Sequence, residues 1–434
     1  MKPPTSQNSK RSNQIKLAHS PSTAFFGTGF GVLTDLTLAG YLQRKHRWLV
    51  FRLEVNHPGE RAGPRTGVSC PGYLPQVCMR IVQLLNHTRR LNGHVHAAVD
   101  LACAQVKLGH QVAMVSGGGD FDALLADNNV ETIRIGLERR PKQLLQATLS
   151  LYRLMRDWRA EVVHAHMMTS AVLAWPICKL LGIPLITTVH NEFEPSAVLM
   201  GLGARVIAVS AAVGKSMRRR GIPQSKIRVV LNGTIGAARF EQKDRTPASL
   251  QSPAIVFVGG LHPRKGLSDL FSAFDMVYAA LGAGRLYIVG DGPHREQYAV
   301  QVSSMACASA VTFLGAQDNP FPFLSGADVF VLPSHADPAP LVLSEAREAG
   351  CAIVATDVDG IPELLEQGKA GVLVPARNPQ RLAEVLRCLL RDRQAVLEWK
   401  KKSQFNLEFL TIERVARQTL AIYEEASGHV HGHA

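Results

Sequence analysis

The sequence predicts an α/β protein built from two doubly wound parallel sheets. Short apolar segments, typical of buried strands, alternate with amphipathic helical segments from Met79 almost to the C-terminus. The alternation forms two series, and a polar, proline-containing linker at residues 247–253 separates them. Strands that alternate with helices indicate βαβ units, which build parallel sheets. We therefore expect two Rossmann-like domains that face each other across a cleft.

The first series begins with the apolar segment 79–85. A helical face follows, in which Val95, Val99 and Val106 recur at helical spacing, and Gly109 is placed to end that helix. Further strands are predicted at 111–116, 161–165, 184–190, 206–209 and 227–231. Further helices are predicted at 149–159, 170–181 and 212–220.

The second series repeats this alternation after the linker. Its strands are predicted at 254–258, 286–289, 311–314, 329–332, 352–355 and 371–374. Its helices are predicted at 267–281, 295–305, 343–349 and 379–391. The second sheet should therefore have six parallel strands, with a loop leading to a helix after several of them.

Residues 1–78 show no helical or strand periodicity, and the first βαβ unit begins at a methionine, Met79. We therefore expect residues 1–78 to be a poorly ordered extension outside the fold. The seven cysteines include no C-x-x-C pair, which disfavours a disulfide framework or a zinc ribbon and suits the reducing cytosol. No segment offers the roughly 20 consecutive apolar residues of a membrane-spanning helix, so none is predicted.

The formal net charge of +13 is distributed unevenly over the 434 residues. Residues 1–78 carry +7, residues 79–240 carry +10 and residues 241–434 carry −4. A basic region can face nucleic acid, anionic lipid or an acidic substrate, and it can equally be solvated surface. Charge alone leaves these alternatives open.

A glycine-rich turn, VGGLHPRKG, joins the predicted strand 254–258 to the next helix. Glycines allow close backbone approach and a helix N-terminus favours an anion, so Arg264 and Lys265 could add charge against a phosphate. A glycine-rich turn with a surface lysine explains the pattern equally well. Gly290 and Gly292 form a similar turn after the next strand, either structural or lining a nucleotide pocket.

Asp337 and Glu345 flank the start of a later helix, where carboxylates at the end of a sheet could accept sugar or ribose hydroxyls. Glu345, expected in the first turn, could instead only complement the helix dipole. In the first series His164 and His166 should face the same way on a strand, and His190 ends another. No cysteine or carboxylate completes a zinc set with them, so we expect His190 to form hydrogen bonds at the cleft.

From Met79 to about Ala426 the chain resembles the retaining family 4 glycosyltransferases, of bacterial cell-envelope or exopolysaccharide type, which have the GT-B fold. The number of matching segments and their order make the resemblance specific. In chain order they are Met79–Leu85 with Asn92-Gly93, Gly109-His110, His164–His166, Thr188–Asn191, Val209-Ser210, Val230–Gly233, Val258–Gly266, Val289–Pro293, Asp337–Glu345 and Asp359–Glu363.

The resemblance implies domains at 79–245 (acceptor side) and 246–426 (nucleotide-sugar side), a final helix packing back toward the first domain, and a tail at 427–434. It implies that Lys265 binds the donor diphosphate, that Asp337 lies near the transferred sugar and that His190 faces this sugar. These three form the expected catalytic set. The expected donor-binding set is Gly93, Arg264, Lys265, Gly290, Gly292, Asp337, Leu341, Val342 and Glu345, with Glu345 on the ribose.

Three positions depart from the family pattern. Gly260 stands where the family usually has an arginine five residues before the lysine, so another cation such as Arg264 must compensate. Asp337 is one methylene shorter than the usual glutamate. The acidic end of the family's NG-x-D turn is missing in Asn232–Ile235.

The resemblance implies transfer of a hexose from a nucleotide-diphosphate sugar to a glycan or lipid-linked acceptor, with retention and without a metal, in lipopolysaccharide, capsule or exopolysaccharide synthesis. A nucleotide-sugar 2-epimerase of the same fold and an inactive sugar-binding homologue are the alternatives. We expect a cytoplasmic protein without a nucleic-acid partner and leave its oligomeric state open. Basic residues could place it against the anionic inner face of the plasma membrane: Arg139, Arg140, Lys142, Arg153, Arg156, Arg159 and Arg218–Arg220.

Overall fold

Two parallel sheets organise the protein in a computed structural model that describes residues 78–90, 92–136, 141–241 and 243–428. The expected extension at residues 1–78 therefore lies outside the described residues, apart from Cys78, as does the tail beyond Gly428. Each sheet pairs only parallel strands, which is the outcome that βα alternation predicts.

The first sheet has seven strands in the order β3-β2-β1-β4-β5-β6-β7. Their bounds are β1 Arg80–Leu84, β2 Gln111–Ser116, β3 Glu131–Arg134, β4 Val162–Ala165, β5 Leu185–Val189, β6 Arg205–Ala208 and β7 Ile227–Val229. Strands β4 and β5 are buried along their whole length, as expected of strands inside a parallel sheet. The strand order reverses between β1 and β4, so the carboxyl ends of these two strands flank a switch point.

The helices of the first half are α1 Gly93–Lys107, α2 Asp122–Asp127, α3 Pro141–Asp157, α4 Met168–Leu181 and α5 Ala211–Arg219. Helix α1 buries Val95, Ala98, Val99 and Ala102, the apolar face that the sequence predicts. Gly109 follows its end with φ +88°, a left-handed conformation that glycine adopts without a steric penalty.

The second sheet has six strands in the order β10-β9-β8-β11-β12-β13. Their bounds are β8 Ala254–Val258, β9 Arg285–Val289, β10 Val311–Gly315, β11 Val329–Leu332, β12 Ala352–Thr356 and β13 Val372–Val374. The helices of this half are α6 Leu267–Leu281, α7 Arg295–Ser303, α8 Phe321–Gly326, α9 Leu341–Glu348, α10 Ile361–Leu364, α11 Pro379–Arg391 and α12 Arg393–Ser403. Here the switch point lies between β8 and β11.

The last helix, α13 Ile412–Ser427, returns to the first sheet and packs against α1. It buries Ala416, Leu420 and Tyr423 in the same apolar cluster as Val95 and Val99 of α1. The C-terminal segment thus contributes to the core of the first half. The chain passes between the halves twice, first through the linker and again before α13.

The structure also changes some expected element bounds. Helix α3 begins at Pro141 and not at residue 149, and helix α9 begins at Leu341 and not at residue 343. Strand β3 and helices α2, α8, α10 and α12 have no counterpart among the predicted elements. Within the described ranges, no helix is both long and apolar enough to span a bilayer.

Candidate active site

The loops that follow the switch-point strands carry several of the site residues that the sequence predicts. In the second half these are the loop after β8, which carries Lys265, and the loop after β11, which carries Asp337. In the first half they are the loop after β1, which leads to Gly93, and the segment after β4, which begins with His166. Ligands of open α/β sheets bind at the carboxyl ends of strands at such points.

Lys265 and Asp337 form the centre of the second half's contribution. The Lys265 ammonium donates a hydrogen bond to Asp337 Oδ2 at 2.5 Å, and both side chains are largely buried. Ser334 Oγ donates to the same oxygen at 3.1 Å, and the Asp337 backbone N–H donates to Asp359 Oδ2 at 2.7 Å. The aspartate therefore holds the lysine in place, and Ser334 and Asp359 hold the aspartate.

Glycines bring these loops into contact. Gly266 has φ +69°, and a Cβ atom there would lie 1.9 Å from the Pro333 carbonyl oxygen. At Gly290 a Cβ atom would lie 1.9 Å from the Gly259 carbonyl oxygen, and at Gly292 one would lie 2.6 Å from that of Leu261. Gly290 and Gly292 thus allow their backbone to pack closely against the start of the loop that carries Lys265. Their expected contact with the donor stays a prediction.

Arg264 contacts the first half of the protein. Its guanidinium carbon lies 4.8 Å from the centre of the Phe193 ring, a cation–π contact that joins the two halves. Its Nε atom is buried without a hydrogen-bond partner among the described residues. Among the described residues, a Cβ atom at Gly260 would meet only the Asp291 carbonyl oxygen, 4.0 Å away, so a side chain could begin at the place of the family's usual arginine.

The start of helix α9 lies beside this pair. Leu341 and Val342 are its first two residues, so their backbone N–H groups belong to the helix end that lacks intrahelical partners. Glu345 lies in the second turn, and not in the first as expected, because the helix starts two residues early. Burial raises the pKa of Glu345 to about 7, although the Arg239 guanidinium lies 3.9 Å away.

His190 is held by a second histidine in the first half. Its Nε2 atom lies 3.0 Å from Nδ1 of His166, and burial holds the pKa of both imidazoles well below the usual 6.5. Gly93 is the first residue of α1, and among the described residues nothing lies within 4 Å of the place a Cβ atom would take there. As far as these residues are concerned, a ligand could approach the N-terminus of α1 above Gly93.

Two family models match this chain, one on each half. The model described as Glycosyltransferase Family 4 matches residues 91–234, and the model described as Glycosyl transferases group 1 matches residues 252–392. The chain belongs to the family 4 glycosyltransferases. The resemblance inferred from the motifs is thereby confirmed.

Relatives of this glycosyltransferase chain include enzymes of glycan synthesis. It is 29% identical over 272 residues to a glycogen synthase of Mycobacterium tuberculosis, covering 57% of this chain and 65% of the relative. It is 30% identical over 171 residues to the lipopolysaccharide core biosynthesis glycosyltransferase LpsE of Rhizobium meliloti, covering 38% of this chain and 48% of the relative. The match therefore spans less than two-thirds of these relatives' length.

Solved structures confirm the GT-B fold. The Anabaena protein HepE in complex with UDP-glucose superimposes with a TM-score of 0.68 at 18% identity, over 80% of this chain and all of that chain. A glycosyltransferase from Rickettsia africae also superimposes with a TM-score of 0.68, at 16% identity over 80% of this chain and 98% of that chain.

Several residues of the glycosyltransferase site were missed by the sequence analysis. Asp359 begins the matching segment Asp359–Glu363, but only the fold shows that its carboxylate accepts the Asp337 backbone N–H. Arg239 pairs with Asp100 at 2.8 Å and approaches Glu345, and its sequence neighbourhood gives no signal. Gln83 offered one signal, because it is a polar residue inside an otherwise apolar strand.

Proposed function

We propose that this chain transfers a hexose from a nucleoside-diphosphate sugar to a glycan or lipid-linked acceptor, with retention at the anomeric carbon. The observation that carries the proposal is the Lys265–Asp337 pair beside the N-terminus of α9. This arrangement puts a lysine ammonium and free backbone N–H groups at the carboxyl end of the second sheet, where a diphosphate would be bound. The relatives in glycan synthesis support the proposal.

The difficult step of such a transfer is the departure of the nucleoside diphosphate, on which negative charge develops. Lys265 and the N–H groups of Leu341 and Val342 would stabilise that charge, and fixed groups of this kind commonly make the largest contribution to catalysis. We expect no metal cofactor, because these groups supply the positive charge themselves. Asp337 orients Lys265 and lies where the sugar would be.

The remaining site residues would select and enclose the donor. Glu345 would accept hydroxyl hydrogens of the ribose, His190 would meet the sugar from the first half, and Gly93 would let the N-terminus of α1 approach it. The contacts of Arg264 with Phe193 and of Asn232 Nδ2 with the Ala339 carbonyl oxygen, at 2.9 Å, bring the halves together around this space. A closed cleft excludes water and limits hydrolysis of the donor.

A donor screen tests the proposal. Thermal shift with UDP-, GDP- and ADP-sugars should identify one nucleotide class that stabilises the chain, since a ligand of the native state alone raises the melting temperature. The stabilising sugar is then incubated with candidate acceptors, and the anomeric configuration of the product is read by NMR. A product of inverted configuration would contradict retention. Lack of stabilisation by any nucleotide sugar would contradict the donor assignment.

The missing side chain at Gly260 favours one second candidate, an inactive nucleotide-sugar-binding homologue. The chain lacks the family's usual arginine there, and Arg264 is engaged with Phe193. The same screen distinguishes the two functions, because an inactive homologue would bind a donor and turn over none of the acceptors. A new sugar isomer formed without any acceptor would instead indicate the epimerase reaction.

The basic first half also suggests where the acceptor is met. On helix α3, Leu145 and Leu149 are 64% and 50% exposed, and helical spacing places Arg153 and Arg156 on the same face. Exposed leucines beside arginines are typical of a helix that lies on an anionic membrane surface. We propose that this face binds the inner leaflet, where a lipid-linked acceptor would be found. Arg220 does not belong to this surface, because it donates to the Glu192 and Glu194 carbonyl oxygens.

Vesicle sedimentation tests the membrane contact. We expect binding to vesicles that contain anionic lipid, loss of binding in high salt, and weaker binding of the Leu149→Ser/Arg153→Glu double variant. Arg387→Glu, on the exposed face of α11, is the matched control and should bind normally. Binding that is indifferent to anionic lipid and salt would contradict the proposal.

A further inference from the structure

A row of five histidines runs from the core of the first half to the cleft. The ring centres are 4.2 Å apart for His164 and His166, 5.3 Å for His166 and His190, and 6.3 Å for His190 and His94. His87 continues the row at 6.2 Å from His94. The proposed function uses only His190 of this row. His164 is fully buried and His166 is almost fully buried, and the proposed function gives neither of them a role.

The contacts of Tyr423 on helix α13 determine which groups of this row donate hydrogen bonds and which accept them. Its hydroxyl oxygen receives N–H donors from Gln83 Nε2 and Gln105 Nε2, each at 3.2 Å. Gln83 Nε2 also donates to Gln105 Oε1 at 2.7 Å. Having accepted two hydrogens, the tyrosine hydroxyl gives its own to Nδ1 of His164 at 2.6 Å.

The opposite orientation of the two amides is less favourable. If both amides were reversed, the single hydrogen of the Tyr423 hydroxyl would face two carbonyl oxygens, and the contact between the hydroxyl oxygen and one of them would lack a hydrogen. If only one were reversed, two oxygens or two NH₂ groups would meet at 2.7 Å. The carbonyl oxygen of Gln83 therefore faces His166.

This orientation fixes the tautomers of the next two residues. Gln83 Oε1 lies 2.7 Å from Nε2 of His166, so that nitrogen carries a hydrogen and donates it. Burial keeps His166 neutral by holding its pKa well below 6.5, and its Nδ1 is then an acceptor. His190 donates from Nε2 to this atom at 3.0 Å. Burial keeps His190 neutral as well, so its Nδ1 carries a lone pair and no hydrogen.

We propose that Gln83 and His166 are positioning residues that hold His190 in the tautomer whose free Nδ1 accepts a hydrogen bond from a hydroxyl of the bound sugar. Among the described residues, no protein group occupies that nitrogen. The proposal rests on the proposed function for the identity of the hydroxyl, but the tautomer itself does not depend on it. A sugar that lacks this hydroxyl would lose the hydrogen bond to His190. Because Gln83 fixes the tautomer of His190 through His166, Gln83 contributes to the choice of sugar.

The tautomer is tested directly on the full chain. In protein labelled with ¹⁵N histidine, long-range ¹H–¹⁵N correlation spectra distinguish the two neutral tautomers, and single His→Gln variants assign the signals. We expect His164, His166 and His190 all to be neutral and protonated at Nε2. A proton on Nδ1 of His190 would overturn the proposal, whatever the chain proves to catalyse.

A pair of substitutions tests the consequence for turnover. His166→Phe removes the acceptor for His190, and we expect kcat to fall roughly tenfold, the size of one hydrogen bond between neutral groups, with little change in KM for the acceptor. His166→Asn keeps an oxygen near the position of Nδ1 and should restore most of the rate. Equal activity of the two variants would overturn the positioning role. A chain that turns over no sugar would refute the proposed function, and the spectra alone would then decide the tautomer.

Discussion

At the residue scale, the site depends on charges held in place by other charges. Lys265 donates a hydrogen bond to Asp337, and Asp337 is itself held by Ser334 and by the carboxylate of Asp359. Such pre-positioned groups need not reorganise when the leaving diphosphate becomes charged. The side chain that provides the positive charge should therefore matter more for the rate than for folding.

Substitution of Lys265 measures this contribution. We expect Lys265→Ala to lower turnover by roughly 100-fold or more, since one charge-stabilising donor to the leaving group is lost. The measurement is kcat with the donor identified by thermal shift. Lys401→Ala, an exposed lysine on α12, is the matched control and should keep full activity. Near wild-type turnover in Lys265→Ala would refute the assignment.

The raised pKa of the Glu345 carboxyl group predicts that donor affinity depends on pH. Burial raises its pKa to about 7, so it is neutral below that pH and ionised above it. An ionised carboxylate accepts ribose hydroxyls better, and we expect donor affinity, measured by calorimetry, to increase as the pH rises through about 7. Glu345→Gln should abolish this dependence, whereas exposed Glu398→Gln should not. A flat profile in the wild type would contradict the proposed ribose contact.

The raised pKa of Glu345 also predicts how the free energy of unfolding changes with pH. Because the native-state pKa lies above the ordinary value of 4.5, the unfolded chain ionises Glu345 at lower pH than the native chain does. The contribution of Glu345 to the free energy of unfolding therefore falls between about pH 4.5 and 7. Urea unfolding should show Glu345→Gln gaining stability relative to the wild type across this interval, and a constant difference would contradict it.

The limits of sequence prediction at this scale follow from distance along the chain. Lys265, Asp337 and Glu345 lie within short motifs whose residue types reveal their chemistry. Gln83 is oriented by Tyr423, which is 340 positions away, and Arg239 meets Asp100 across 139 positions. These contacts exist only once the halves have folded, so no local pattern could predict them.

At the element scale, burial decided which strands and helices the sequence could predict. The strands of the sheet interior were predicted because they form apolar runs, as in the fully buried β12. Edge strand β3 was missed because its sequence, ETIR, leaves only Ile133 partly buried. Helix α12 was missed for the same reason, since only Val396 and Ser403 are buried in an otherwise charged helix. Elements with little buried apolar surface carry little periodic signal.

Helix α9 is tied to its surroundings by Arg347, whose side chain is completely buried. The guanidinium donates to the Ser403 carbonyl oxygen at 2.9 Å, to that of Leu364 at 2.7 Å and to Glu366 Oε1 at 2.7 Å. It thereby connects α9 with the ends of α10 and α12. The helix that presents Leu341, Val342 and Glu345 is thus anchored at its far end.

Removal of this anchor should destabilise the protein. We expect Arg347→Ala to lower the free energy of unfolding by about 3 kcal/mol or more, because it leaves a buried carboxylate and two buried carbonyl groups without their partner. Urea denaturation measures the loss, and exposed Arg393→Ala at the start of α12 is the control. A loss below about 1 kcal/mol would show that water or rearrangement replaces the guanidinium.

At the scale of the whole molecule, the two halves are joined by contacts that no single domain contains. Helix α13 places Tyr423 in the core of the first half, where its hydroxyl orders the histidine row. The two sheets and their sequence order were predictable from βα alternation, since each unit is local. Which loops of the two sheets touch was not predictable, because it depends on the packing of one half on the other.

Glu363 of α10 gives the sharpest test of that packing. Its carboxylate accepts the backbone N–H of Ala211 through both oxygens at 2.9 Å and that of Ala212 at 3.3 Å, at the N-terminus of α5 in the other half. Ser210 Oγ accepts the Val213 N–H at 3.3 Å, so the helix end is capped partly by its own half and partly by the opposite one. A carboxylate at a helix N-terminus is also favoured by the helix dipole.

We expect Glu363→Ala to loosen the contact between the halves while each sheet stays folded. Hydrogen exchange should become faster at the Ala211 and Ala212 amides, and the Val213 amide should change least because Ser210 still caps it. Donor affinity should fall less than turnover, since all of the expected donor-binding residues except Gly93 lie in the second half, whereas His190 lies in the first. Glu384→Ala, exposed on α11, is the matched control. Unchanged exchange at Ala211 and Ala212 would show that the halves are held together without this carboxylate, by the linker, α13 and the remaining loop contacts alone.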